Sequence, residues 1–261
     1  MKRFFIHLFC IGMAPVWLWA ASQEQIAAKA GLFEKRGSQV PLGTEFFDES
    51  GQSVKLGDYF GKGPVILVPA YYQCPNLCTL VLNGLLQTVQ ELKFDAGKEY
   101  QIVVVSFDPR ERSNLAAAKK RTYLRQYERQ GAANGWHFLT GDQSSISSLL
   151  TSVGYQVAWD EVTQQFAHPS AIMILTPQGK VSRYLPGIEY PPREVRMALI
   201  EASKNHLGSL SDQIFLLCFH YNPTTGKYGV AIWRAMQLAG CGTVLLLAGY
   251  LGRLIRNEQA N

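Results

Sequence analysis

Cys74 and Cys78 stand with three residues between them, where the continuous apolar run Val65–Tyr72 gives way to a pattern of helical period. One helical turn between the two positions puts both sulfurs on the same side. The first-turn N–H groups and the helix dipole favour negative charge there, so the spacing predicts lowered thiol pKa values. Thiolate is both a metal ligand and a redox nucleophile. A structural disulfide, or two buried small side chains, is the alternative that the pair leaves open.

A metal site needs further donors, and five histidines are available: His7, His137, His168, His206 and His220. His7 lies in the first apolar segment, and His137 falls inside an expected strand, where packing or a hydrogen bond explains it. His168 precedes the apolar run Ala171–Leu175, in a loop that a strand–helix fold can bring beside the start of the cysteine helix. Two thiolates and one imidazole make a soft three-coordinate site suited to copper, Cu(I) above all, whereas zinc ordinarily takes a fourth ligand.

The elements that must position these side chains follow from period and punctuation. Val65–Tyr72 is short enough to be a strand buried on both faces. Leu77, Leu80, Val81, Leu85, Val89 and Leu92 then recur at helical spacing, and Pro75 suits a first helical position. Before them, residues 46–56 suggest two short strands around a Gly-containing turn. After them come a second buried strand, Tyr100–Phe107, and a helix from Ser113 to about residue 130, with Ser113 as its cap. Trp136–Leu139 is a short strand, and Ser144–Val153 a helix. Ala171–Leu175 and Lys180–Leu185 form a hairpin, and Pro191-Pro192 opens a last helix to about Ser203. Strands alternating with helices predict an α/β fold with a mixed sheet and helices on both faces.

With 47% hydrophobic and 17% charged residues, the composition is that of a globular protein with appendages. The formal net charge is +5, and no dense Lys/Arg stripe occurs, which argues against nucleic acid as a partner. Five cysteines, at 10, 74, 78, 218 and 241, do not make a disulfide framework. Residues 1–21 read as a secretory signal: Lys2 and Arg3, then an apolar core, then Ala20 and Ala21. Residues 22–39 read as a tether, 40–204 as the chemical domain and 205–228 as a juxtamembrane extension. Ala235–Leu251 is 17 residues without a charge, inside an apolar stretch expected to form a transmembrane helix over 229–252. Arg253 and Arg256 follow, so 253–261 is expected as a cytoplasmic tail. The topology expected is an exported domain on the periplasmic side of the inner membrane.

Several ordered motifs accompany the pair: Gly61-Lys62, Cys74-Pro75-Asn76-Leu77-Cys78, Ser106-Phe107-Asp108-Pro109, Trp136-His137-Phe138-Leu139-Thr140-Gly141, and His168 with Gly179 in a Pro-Gln-Gly turn. Across residues 40–203 this set resembles the Sco/SenC family of copper-binding, thioredoxin-fold proteins. The resemblance implies copper held by Cys74, Cys78 and His168 and delivered to the dinuclear copper site of a respiratory oxidase. It also implies Asp108 near the site, steering copper or a partner, although the same residue can simply cap the next helix. Thr79 stands where many relatives have a second proline, Pro169 directly follows His168, and an anchor is expected at the C-terminus rather than the N-terminus.

Two functions compete. One is a copper chaperone for oxidase assembly. The other is a thiol–disulfide oxidoreductase that keeps the cysteines of a copper acceptor reduced, which needs Cys74 and Cys78 but not His168. Cys218 and His220 alternate as they would along a strand, so they can share a second copper ion. The competing reading has that segment, with Phe219 and Tyr221, docking at the membrane interface.

Overall fold

The computed structural model describes residues 29–74, 77–129, 131–203, 221–222, 227–228, 237, 240–243 and 247. The chain divides into two units, 1–207 and 208–261.

In the first unit, β1 (Gly31–Leu32) pairs antiparallel with the later β7. Strands β2 (Glu45–Phe47) and β3 (Ser53–Lys55) form the short hairpin expected around Gly51, whose φ of 83° suits a residue without a Cβ. β4 (Val65–Ala70) leads towards α1 (Leu77–Glu91), and β5 (Gln101–Ser106) towards α2 (Ser113–Tyr127). β6 (Trp136–Leu139) precedes α3 (Gln143–Ser152). Three short strands follow, β7 (Tyr155–Gln156), β8 (Ala158–Asp160) and β9 (Gln165–Ala167). β10 (Ala171–Leu175), β11 (Val181–Pro186) and α4 (Pro192–Ala202) complete the unit.

The central sheet has the order β11-β10-β4-β5-β6. β4, β5 and β6 run parallel, while β10 is antiparallel to both β4 and β11. This is the expected mixed sheet, and every residue of β4 and β10 is buried, as central strands require. Right-handed crossovers put α1 and α2 on the same face, where they pack against each other, and α4 also packs on α1. Pro69 is tolerated in a central strand because β10 pairs with β4 only as far as Leu67. Beyond that point the sheet opens on one side of β4.

Some local expectations change. Helix α2 begins at Ser113 with Arg112 at the N-cap and no side-chain cap bond, so Ser113 is not the cap. Asp142 does cap α3, accepting from the Ser145 N–H. Residues 31–40 are tied to the domain through Phe33 N–H to Gly154 O, Gly37 N–H to Val181 O and Val40 N–H to Gly179 O. Strands β7 to β9 fill the interval between α3 and β10, where the hydrophobic pattern suggests no element.

The transmembrane helix expected over 229–252 is corrected: among the described residues, no helix is long and apolar enough to cross a membrane. A span takes about 20 apolar residues in one helix. The uncharged run between Arg234 and Arg253 has 18, and Arg234 interrupts its extension. The described residues of the second unit are the strand pair Tyr221–Asn222 with Lys227–Tyr228 and helical backbone at 237, 240–243 and 247. The expected signal (1–21) lies outside the described residues, as does most of the extension.

His137 is packed in the sheet as expected. Its ring lies 4.4 Å from that of Tyr59, and its Nε2 is 3.0 Å from Gln101 Oε1. Burial, helped by the charge of Lys120, lowers its pKa to about 4. The unfolded chain therefore binds a proton below pH 6.5 that the folded protein binds only near pH 4. This part of the stability is present above pH 6.5 and is lost as pH falls. Between pH 7 and pH 4.5, wild type should lose about 2 kcal/mol more than His137→Gln in urea denaturation. Equal losses in the two proteins would remove His137 as the cause.

Candidate metal centre

Topology explains why the two halves of the centre meet. From β4 the chain steps outwards through β5 and β6, then returns to lay β10 on the other side of β4. That is a switch point, where crevices form at the carboxyl ends of strands. Because β10 is antiparallel to β4, its beginning lies beside the end of β4. Cys74 follows the end of β4, and His168 precedes the start of β10.

One ligand atom from each of Cys74, Cys78 and His168 lies within 4.8 Å of the other two. Cys78 Sγ is 3.3 Å from His168 Nε2. The Cys78 N–H points at Cys74 Sγ at 3.4 Å, and the Tyr71 N–H at Cys78 Sγ, also at 3.4 Å. Both cysteines are free thiols, and both are buried. Donors about 2.0–2.3 Å from one ion in a trigonal plane stand about 3.5–4 Å apart, so these three need only small movements to share a metal.

The histidine is oriented from behind. The Tyr155 hydroxyl donates to Pro169 O at 2.5 Å and lies 3.2 Å from His168 Nδ1. Nδ1 is also 3.0 Å from Pro169 O. An Nδ1–H suits both oxygen partners and leaves the Nε2 lone pair facing the sulfurs, which is the usual logic of a metal-binding imidazole. The rings of Phe107 and Tyr71 flank it at 5.2 Å and 6.0 Å. A crevice of about 360 Å³, lined by Tyr71, Cys74, Leu77, Phe166, His168 and Pro169, opens beside the centre.

The expected lowering of thiol pKa is corrected at Cys78. The neighbouring Cys74 sulfur and burial push its pKa strongly up, against the smaller opposing effect of the Tyr71 N–H. A hydrogen bond that holds the proton on Cys78, together with burial that disfavours its thiolate, outweighs the expected pull of the helix start. The thiols become ligands when a cation displaces their protons.

Asp108 is already engaged. Its carboxylate takes the Arg110 guanidinium at 2.8 and 3.1 Å and the Arg110 N–H at 2.9 Å. The same guanidinium stacks over Trp159 at 4.2 Å. Asp108 thus organises the turn after β5 and is not part of the donor group. Cys218 and His220 lie outside the described residues. Sequence reasoning missed Tyr155 and Glu111. The Glu111 carboxylate accepts from Ser106 Oγ and from the N–H groups of Tyr72 and Gln73, and burial raises its pKa against those bonds. No spacing marks either residue, because their partners are remote in the chain.

A mixed sheet with a thiol pair at a strand-to-helix junction, and a histidine delivered by the returning strand, defines a thioredoxin-like protein with a soft metal centre. The SCO1/SenC family profile matches residues 37–203. The chain belongs to the SCO1/SenC family. Among solved structures, it is similar to a protein of Aquifex aeolicus VF5 described as a candidate electron transfer protein. That match has 24% identity, covers 66% of this chain and 96% of the other, and has a TM-score of 0.59. BsSco, described with a disulfide switch as a member of the Sco family of cytochrome c oxidase assembly proteins, shares 19% identity. It covers 66% of this chain and 98% of its own, with a TM-score of 0.51. Arabidopsis thaliana ScoI, crystallised with copper bound, shares 17% identity over 68% of this chain and 99% of its own, with a TM-score of 0.50. At these identities the structural matches establish the fold. No curated protein sequence matches the chain.

Proposed function

We propose that this protein is a copper chaperone of oxidase assembly: it takes copper as cargo on Cys74, Cys78 and His168 and passes it to the copper site of a respiratory oxidase. The observation that carries the reading is the convergence of two sulfurs and one imidazole nitrogen within 4.8 Å. Membership of a family with oxidase-assembly and copper-bound representatives supports it. The donor set favours Cu(I), and three ligands leave room for an incoming thiolate of the acceptor. The signal-like segment 1–21 supports work outside the cytoplasm.

The oxidoreductase reading is weaker. Both thiols are buried, and the raised pKa of Cys78 opposes rapid thiolate attack. Copper analysis of the purified protein decides the matter. One Cu(I) per chain, with an X-ray absorption signature of two sulfurs and one nitrogen, is expected. Absence of bound copper after anaerobic loading of the reduced protein would overturn the proposal.

A further inference from the structure

We infer that Glu111 is a positioning residue of the centre: its carboxylate holds the segment before Cys74 in the conformation that presents the cysteine sulfur. The inference rests on the copper reading for its affinity readout, and its structural part stands without it.

Glu111 lies in the turn between β5 and α2, far in sequence from the cysteines, and is only 3% exposed. Its Oε2 accepts from the Tyr72 N–H at 2.7 Å and from Ser106 Oγ at 2.6 Å, and its Oε1 accepts from the Gln73 N–H at 2.7 Å. Tyr72 and Gln73 are the two residues immediately before Cys74. Among the described residues, two contacts within the loop are long: Cys74 N–H to Tyr71 O is 3.3 Å, and Cys78 N–H to Cys74 Sγ is 3.4 Å. Glu111 supplies short, charge-assisted bonds to the Tyr72 and Gln73 backbone of this loop. They act where the sheet has opened, past the last β10 partner of β4 at Leu67.

A buried carboxylate is a costly way to fill this space unless its donors need both oxygens. Two successive N–H groups at the loop do need them. A glutamine has one oxygen and would turn an NH2 group towards a backbone N–H, leaving that donor without an acceptor. Ser106 Oγ also receives the Asp108 N–H at 3.2 Å, so its contacts stay within the end of β5 and the β5–α2 turn and do not reach the loop.

The test uses the full chain as wild type, Glu111→Gln and Ser106→Ala. Amide hydrogen exchange without metal should speed up at least 10-fold at Tyr72 and Gln73 in Glu111→Gln, with exchange in β4 and α1 unchanged. Competition with a chromogenic Cu(I) chelator should show copper held at least 10-fold more weakly by Glu111→Gln. Ser106→Ala, which keeps both loop contacts, should stay within about 3-fold of wild type. General destabilisation would instead move both variants together. A folded Glu111→Gln with wild-type exchange at Tyr72 and Gln73, or with wild-type copper affinity, overturns the inference. Should Glu111→Gln fail to fold, Glu111→Asp decides in its place by the same two readouts, since its shortened carboxylate cannot reach both N–H groups. If wild type holds no copper, the chaperone reading fails, and the exchange data still judge the clamp.

Discussion

His168→Ala should bind Cu(I) roughly 100-fold more weakly than wild type. A structural metal held by four ligands gains about 10–16 kcal/mol, so one ligand is worth about 3 kcal/mol, or about two decades in Kd. The sulfurs are untouched by the change, so the Cys74–Cys78 disulfide should still form and be reduced. Cys78→Ser should be worse, because it removes a ligand and leaves a hydroxyl in a site that is 3% exposed. Competition titration against a Cu(I) chelator reads both variants. Affinity should rise with pH in every protein that keeps the cysteines, since copper must displace thiol protons and Cys78 holds its proton tightly. Unchanged affinity in His168→Ala would remove the imidazole from the centre and return the thiol pair to redox chemistry.

The second large effect is on stability, at Gly84. This residue lies on α1, and a Cβ placed on it would stand 1.8 Å from Ile188 O and 3.0 Å from Ile188 C. The obstacle is backbone, which cannot rotate away as a flexible side chain would. The contact is reinforced one turn later, where Thr88 Oγ1 donates to Tyr190 O at 2.5 Å. Gly84→Ala should therefore cost about 3 kcal/mol in urea denaturation, the upper range for overpacking. In an exposed helix the same change would stabilise by about 1 kcal/mol, so even the sign separates the two cases. A stabilised variant would mean that α1 does not pack on 187–190 as described. Because α1 also carries Cys78, any displacement of the helix reaches the metal centre.

Much of this protein is legible residue by residue. The apolar run before Cys74, the helical recurrence from Leu77 to Val89 and the Pro-Gln-Gly turn before β11 are local patterns. Their periods follow from backbone geometry alone, and β4, α1 and the β10–β11 hairpin appear where those patterns place them. Cysteine spacing and the position of the pair at a strand-to-helix junction are equally local, and they suffice to name a soft metal or redox site. The apolar stretch near the C-terminus was legible as hydropathy. Among the described residues no helix is long and apolar enough to cross a membrane, and hydropathy alone does not set how long one continuous helix runs.

Tertiary structure decided what depends on distant neighbours. The antiparallel return of β10 beside β4 brings His168 to sulfurs some 90 positions away. The hydrogen bond with Cys74 and burial reversed the expected pKa direction at Cys78, because both favour the protonated thiol over the thiolate. Glu111, an unmarked acidic residue in a turn, braces a cysteine loop some 38 positions earlier in the chain. Local sequence sets period and conformational preference within a few residues. Charge, desolvation and hydrogen-bond satisfaction are settled only once the sheet has chosen which segments become neighbours.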